Sequence, residues 1–369
     1  LPISGGALML SGSVFSFAVL GLAVRGAALG FSALALGFLE RGRRTGRRLP
    51  YALAGGCLGL AIAETPDIGV FFALALAGAF LWLHWPAQPR QLRSWRPLVG
   101  RGALFVFTSF ALSLQTLGVM FATQIEGVQQ GAAESPQARY DWATQWSLPP
   151  EETWDLVAGT FYGASMRSTT APYRGRLGRT PGWSPDQPQR GFRNFALTGY
   201  HLGVIPSILL LSAWFAWPRS DRDRRRITAL SFVGTIVCLV LAWGRYTPLY
   251  RLVVALPYLG TIRNPEKWLM PFMLFSALGI GLALDALRKG IASPTVSNGS
   301  AHSPMTALAR ATLLIGGIAL FTLLATVIGQ DAFRATMDRE GYAEPLINAA
   351  WRTALLASGR VLLFSALVA

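Results

Sequence analysis

Long apolar stretches separated by short polar connectors dominate the sequence. Several approach or exceed the roughly 20 residues that a helix needs to cross the hydrocarbon core of a bilayer. The apolar segments of this pattern are Pro2–Leu39, Leu49–Ala63, Ile68–Trp85, Ala103–Phe121, Phe195–Trp217, Ile227–Trp243, Leu269–Leu287, Met305–Ile328 and Trp351–Ala369. The pattern therefore predicts an all-α fold, a polytopic transmembrane helical bundle with about eight to ten membrane segments.

The polar stretches divide the chain into three parts. Residues 1–121 are predicted to form N-terminal transmembrane helices, and residues 122–193 an extracytoplasmic loop region that contains short amphipathic helices. Residues 194–369 are predicted to form C-terminal transmembrane helices, interrupted by a re-entrant or interfacial segment at 244–268. Because the chain starts with Leu1 and stops within an apolar run, we also expect it to be a piece of a longer protein.

Charge adds an orientation to this picture. Only 14% of the residues are charged, and the net charge is +15, whereas a soluble domain carries about 25% charged residues. The arginine-rich connectors at 40–48, 84–101 and 218–226 all fall on one side when the helices alternate, and this pattern places them in the cytoplasm. We therefore expect a multi-pass membrane protein whose basic connectors face the cytoplasm, with the lipid bilayer and not nucleic acid as its partner.

The segment 244–268 (GRYTPLYRLVVALPYLGTIRNPEKW) is the first candidate for a functional site. Its apolar centre at 252–259 is far too short to cross roughly 30 Å of hydrocarbon. The charged residues that flank this centre are Arg245, Arg251, Arg263, Glu266 and Lys267. Charges so close to apolar depth are costly unless they face water, a partner or a ligand.

Three acidic residues outside this segment are candidates for catalysis. Glu64 and Asp67 flank Pro66 between two apolar runs. Paired acids can act as a general base or as a metal ligand, although such a pair more often belongs to a simple turn between two helices. Asp155 lies among apolar residues after the SLPPEE stretch (147–152), whose Glu151 and Glu152 are best explained as capping residues. That stretch predicts an amphipathic helix with Trp154, Leu156, Val157 and Phe161 on the membrane surface.

Two further observations concern ligands. Tyr173 and Arg174 belong to a loop rich in arginine and glycine, which suits phosphate or sugar binding as well as it suits a solvated loop. The three histidines are isolated from one another and the two cysteines lie in apolar runs, so the sequence predicts no metal site.

Four stretches together resemble the bacterial YfhO-like membrane protein family, which is similar to the GT-C class of polytopic glycosyltransferases. They are SLPPEE (147–152) with FYG (161–163), NFALTGYHLG (194–203), GRYTPLYRLVVALPYLGTIRNPEKWL (244–269) and the apolar run that follows. The resemblance implies transfer of a sugar from a polyprenyl-phosphate carrier to an envelope glycan or lipid acceptor at the outer face. It leaves the need for a divalent metal open.

The resemblance also implies roles for residues. Arg263 and Lys267 would hold the lipid phosphate, with Glu266 and Arg245 beside them, and Tyr246 or Tyr250 would line the sugar or lipid groove. GT-C enzymes carry a catalytic acid just after their first helix, and that region is expected before Leu1. The catalytic residue is therefore unassigned.

Two other classes of function stay open. The chain could be a non-catalytic transporter or lipid-handling protein, or a structural subunit of an envelope assembly. The long polar segment 122–193 favours the enzyme, since transporters usually place their polar groups within the spans.

Overall fold

A computed structural model describes residues 23–85, 95–120, 122, 135–163, 173–179, 200–217, 221–256, 259–292 and 303–369. These residues form helices and contain no strand, so the predicted all-α bundle is confirmed. The α-helices are α1 (Ala23–Thr45), α2 (Leu49–Glu64), α3 (Pro66–His84), α4 (Arg96–Met120), α5 (Pro136–Ala143), α6 (Asp155–Ala158), α7 (Val204–Phe215), α8 (Arg222–Ala242), α9 (Tyr250–Ala255), α10 (Leu269–Ala292), α11 (Pro304–Ile328), α12 (Gln330–Arg339) and α13 (Glu344–Val368). Short 3-10 helices cover Pro150–Trp154, Gly244–Tyr246, Leu259–Thr261 and Pro265–Trp268.

Among the described residues, 6 helices are long and apolar enough to cross a membrane. They are Pro66–His84, Arg96–Met120, Arg222–Ala242, Pro265–Gly290, Pro304–Ile328 and Glu344–Val368. Two shorter apolar helices, α2 and α7, pack among them. The chain is thus a multi-pass helical membrane protein by length and composition.

The predicted boundaries differ from the structure at several places. The segment predicted at 195–217 contains only the 12-residue helix α7, and residues 195–199 lie outside the described part. Helix α13 starts at Glu344, seven positions before the predicted Trp351, because Pro345 fits the first turn of a helix. The first part of the predicted segment Pro2–Leu39, residues 2–22, also lies outside the described residues.

Helices α2 and α4 cross at glycines. A Cβ atom built on Gly55 would lie 2.1 Å from the carbonyl oxygen of Phe105, and one on Gly59 would lie 2.6 Å from that of Ser109. Small residues four positions apart allow two backbones to approach this closely, which replaces the missing hydrophobic driving force in lipid. The crossing fixes the N-terminal half of the bundle.

The arginine-rich helix ends meet at one end of the bundle, which we call the basic end. Arg43 of α1 pairs with Asp223 of α8 at 3.1 Å, and Arg224 pairs with Asp285 of α10 at 3.3 Å. Arg226 donates to the carbonyl oxygen of Trp82 in α3. The described basic helix ends therefore share one side, as their alternation predicts.

A layer of short helices and turns covers the opposite end. This capping layer comprises residues 135–163, 173–179, 244–256 and 259–268. The helix predicted to lie on the membrane surface is instead a 3-10 helix followed by the single turn α6, and Leu156 is 5% exposed. Trp154 and Val157 pack against α7, α11 and α13. The prediction of a surface helix is wrong because the bundle itself supplies the apolar partner.

Candidate functional site

The segment 244–268 is tied to the rest of the capping layer by its backbone. The amide of Asn264 donates to the carbonyl oxygen of Ala143 at 3.1 Å, and that of Glu266 donates to Trp146 at 3.0 Å. Leu148 in turn donates to the last carbonyl group of α8, at Ala242. These bonds satisfy backbone groups that a proline-broken segment cannot satisfy within itself. They also set the direction of the side chains that follow.

Lys267 and Asp67, far apart in sequence, form an ion pair. The Nζ atom of Lys267 lies 2.7 Å from Oδ2 of Asp67, and the lysine side chain is only 7% exposed whereas the aspartate side chain is 42% exposed. Pro66 opens α3, so Asp67 stands in its first turn, where the helix dipole favours a negative charge. A candidate acid and a candidate phosphate-binding residue therefore meet in one place.

Three further polar groups surround this pair. Glu266 is 3% exposed, and Arg25 of α1 donates to the hydroxyl group of Tyr200 at 3.5 Å. Burial raises the pKa of Tyr200 above its ordinary range, and the negative charge of Glu266 acts in the same direction while Arg25 opposes it. We call Arg25, Asp67, Tyr200, Glu266 and Lys267 the charged cluster.

Sequence reasoning missed Arg25 and Tyr200 as members of this cluster. Arg25 was visible only as an interruption of the first apolar run, and Tyr200 as part of a short motif. Glu64, the neighbour of Asp67 across Pro66, is exposed and has no hydrogen bond or ion pair with a described residue. Of the two acids in this turn, only Asp67 therefore belongs to the charged cluster.

A second group of acids lies inside the capping layer. Oδ1 of Asp155 accepts hydrogen bonds from the amides of Phe161 and Tyr162 at 2.7 and 3.3 Å. Glu152 accepts from the hydroxyl group of Tyr173 at 2.6 Å and from the amide of Leu177 at 3.3 Å. These bonds join residues 150–163 to residues 173–179.

Arg174 also links residues 173–179 to residues 150–163. Its guanidinium donates to the carbonyl oxygen of Phe161 and lies 4.8 and 4.9 Å from the ring centres of Phe161 and Tyr162. Burial lowers the pKa of Arg174 to about 10 and raises the pKa of Tyr162 to about 12. Tyr342, beyond α12, donates to the carbonyl oxygen of Tyr173 at 2.6 Å. Tyr173 is therefore buried and Arg174 half-buried in the capping layer, and both are held by contacts within it.

The other predicted binding residues lie at different places in the layer. Arg245 donates to the carbonyl oxygens of Asp141 and Thr144, both at 3.0 Å, and thereby holds the end of α5. Tyr250 is 1% exposed and Tyr246 is 37% exposed. Arg263 is exposed, with its guanidinium 5.9 Å from the ring centre of Trp142.

Within the described residues, no group of histidine, cysteine, aspartate and glutamate side chains could hold a metal ion. Comparison with models of known protein families, with curated proteins and with solved structures finds no match. The membrane class therefore rests on the helices themselves, and any function has to be argued from the site.

The buried carboxyl of Asp155 predicts a pH-dependent stability. Burial raises the pKa of Asp155 to about 7 from its ordinary 3.8, although the amides of Phe161 and Tyr162 oppose this. A carboxyl whose pKa is raised on folding stabilises the fold below its ordinary pKa, and this contribution is lost as pH rises through the raised value. We expect the thermal unfolding temperature to fall as pH rises from about 4 to about 7, and Asp155→Asn to flatten that slope.

Thermal unfolding of the full chain across this pH range, in one detergent, measures the slope. Asparagine can accept the same two amide hydrogen bonds, so the variant should fold. Asp338→Asn on α12, an exposed position, is the matched control and should keep the slope of the unmodified protein. An identical slope for Asp155→Asn would contradict the assignment.

Proposed function

We propose that this chain is the membrane part of a GT-C-like glycosyltransferase of the bacterial inner membrane. It would transfer a sugar from a polyprenyl-phosphate carrier to a cell-envelope acceptor at the outer face. The observation that carries the proposal is the charged cluster, in which Lys267 and Asp67 pair between a membrane helix and the capping layer. A lysine ammonium that is only 7% exposed beside a membrane helix is expensive, and a binding or reaction site is the usual reason for such a group.

The proposed chemistry follows from the exposure of the two partners. An acceptor hydroxyl oxygen forms a bond to the anomeric carbon of the sugar as the bond from that carbon to the phosphate oxygen breaks. The carboxylate of Asp67, which is 42% exposed, takes the proton of the hydroxyl group. The ammonium of Lys267 neutralises the charge on the departing polyprenyl phosphate. The phosphate would replace Asp67 as the partner of Lys267 during binding.

The resemblance of 147–152 and 244–269 to the YfhO-like family adds to this proposal. Arg263, which that resemblance assigns to the same phosphate, lies over Trp142 on α5. We therefore assign the phosphate of the carrier to Lys267 and consider Arg263 separately.

Radiolabelled sugar transfer by membranes that contain the full-length protein tests the proposal. With polyprenyl-phosphate donors, Asp67→Asn and Lys267→Met should each lower the rate about 100-fold or more. Asp338→Asn should keep the rate of the unmodified protein. No transfer from any such donor would overturn the enzyme assignment, and full activity of Asp67→Asn would overturn the role of Asp67.

A second function, non-catalytic lipid handling, is favoured by one observation. The polar side chains of Glu152, Asp155, Arg174 and Arg245 are all engaged within the capping layer. Because the hydrogen bonds of these side chains are formed within the layer, the layer is rigid and does not need a substrate to satisfy them. Binding of polyprenyl phosphate that depends on Lys267, without any sugar transfer, would select this function.

A further inference from the structure

We infer that the exposed surface formed by α5, α9 and Arg263 binds the phosphodiester headgroups of anionic phospholipids in the leaflet that borders the capping layer. We call this surface the arginine–leucine face, comprising Arg139, Leu249, Arg251, Leu252, Leu256 and Arg263. The inference does not depend on the proposed function, because it concerns bulk membrane lipid and a different set of side chains from the charged cluster.

The apolar half of this face belongs to α9 and its two flanking residues. Leu249, Leu252 and Leu256 are 50%, 67% and 52% exposed, and spacings of three and four residues place them on one side. Tyr250, on the other side, is 1% exposed and packs into the core. The six-residue helix α9 is too short to span a bilayer. An exposed row of leucines on such a helix is suited to lie parallel to the membrane surface, with the leucines in the boundary between headgroups and acyl chains.

Three arginines lie on or beside α5. The guanidinium of Arg251 lies 5.8 Å from the ring centre of Tyr140, and that of Arg263 lies 5.9 Å from the ring centre of Trp142. Arg139 belongs to α5 itself, and its guanidinium packs against Gly260 in the segment that leads to Arg263, since a Cβ atom built on Gly260 would lie 3.1 Å from its Nη2 atom. All three arginines are exposed, and contact with aromatic faces holds two of them in position.

Within the described residues, these three arginines have no acidic partner and, unlike Arg174 and Arg245, no carbonyl oxygen as the partner of their guanidinium groups. Arg176 pairs with Glu151, Arg179 with Glu340 and Lys267 with Asp67. The sole acid within 135–146, 249–256 and 259–263 is Asp141, whose carboxylate accepts a hydrogen bond from Gln137 at 3.2 Å. The face therefore has an excess of positive charge that an external anion can neutralise.

The neighbouring leucines decide which anion fits. A soluble phosphate or a nucleic acid would leave the three leucines in water, whereas a phospholipid offers a phosphate to the arginines and acyl chains to the leucines. Basic residues at a membrane surface each gain from anionic lipid, and an adjacent apolar row adds to the binding. The ligand chemistry that fits both halves is an anionic phospholipid within the bilayer.

Binding of phosphatidylglycerol and phosphatidylcholine to the full-length protein, delipidated in detergent, tests the inference. The triple variant Arg139→Gln, Arg251→Gln, Arg263→Gln should bind phosphatidylglycerol at least about tenfold more weakly. A control at an exposed arginine outside the spans, Arg339→Gln on α12, should bind it as the unmodified protein does. Equal affinity of the unmodified protein for both lipids, or full competition by inorganic phosphate, would overturn the inference.

A depth measurement provides an independent readout that loss of charge alone cannot mimic. A fluorophore on Leu252→Cys, with Cys57 and Cys238 replaced by alanine, should be quenched by brominated lipid in reconstituted vesicles. The same fluorophore on Asp338→Cys should not be quenched. An unquenched probe at position 252 would show that the face does not contact the bilayer and would overturn the inference.

Discussion

Replacing Gly244 with alanine is expected to lower the free energy of unfolding by about 3 kcal/mol. Gly244 has a φ of 48°, in the left-handed region, where a Cβ atom is strained. That atom would also lie 2.2 Å from Oγ of Ser147 and 2.6 Å from Cγ of Pro265. Three segments of the capping layer therefore meet at this residue with no room for a methyl group.

Relaxation around Gly244 is restricted because its neighbours are themselves bound. Ser147 donates to the carbonyl oxygen of Thr144 at 2.7 Å and accepts from the amide of Arg245 at 3.0 Å. Moving Ser147 would break both bonds in a buried place, and each unsatisfied group costs about 1–3 kcal/mol. Chemical denaturation of the full-length protein in detergent measures the difference.

Two glycines separate the causes of this effect. Gly159 also has a positive φ, 79°, but its nearest contact to a built Cβ atom is 3.6 Å, so Gly159→Ala should cost only the backbone strain, about 1 kcal/mol. Gly118 lies in α4 with nothing within 4 Å, and Gly118→Ala should be neutral or stabilising. If Gly244→Ala is no more destabilising than Gly159→Ala, the close contact of the three segments is not present.

Removing Asp67 should be the second largest perturbation. Asp67→Ala leaves the ammonium of Lys267, 7% exposed, without its nearest counter-charge, and we expect a loss of about 3 kcal/mol in the free energy of unfolding. Lys267→Met should cost less, about 1 kcal/mol, because the 42% exposed carboxylate of Asp67 can be hydrated once the lysine is gone. The two effects are unequal because the burial of the two partners is unequal.

A double-mutant cycle with Asp67→Ala, Lys267→Met and the combined variant tests this inequality. The combined variant should be more stable than Asp67→Ala alone, since it removes the buried charge together with its partner. Chemical denaturation in the same detergent supplies all four free energies. Additive effects would mean that the two residues do not interact in the folded protein.

Much of the bundle followed from the sequence. The bounds of α2, α3, α8, α10 and α11 lie close to the predicted apolar runs. A segment that crosses lipid has to be helical to satisfy its backbone hydrogen bonds, so a long run of apolar residues is enough to predict a helix. The irregular nature of 244–268 was also visible, since Pro248, Pro257 and Pro265 exclude a continuous helix. The local pattern around Glu152 and Asp155 indicates two acids next to apolar residues, but it cannot show that the hydroxyl group of Tyr173 and the amide of Phe161 donate to them.

The amino-acid sequence alone shows that this is a helical membrane protein, where most of its spans lie and which helix ends are basic. These properties depend on the polarity of contiguous stretches of residues, so they can be read from local composition. The packing of separate segments, by contrast, brings Lys267 to Asp67, buries Tyr173, half-buries Arg174, and places Arg251 and Arg263 beside α5. These contacts depend on how separate helices pack against each other. The sequence around positions 67 and 267 carries no information about the distance between these two residues in the fold.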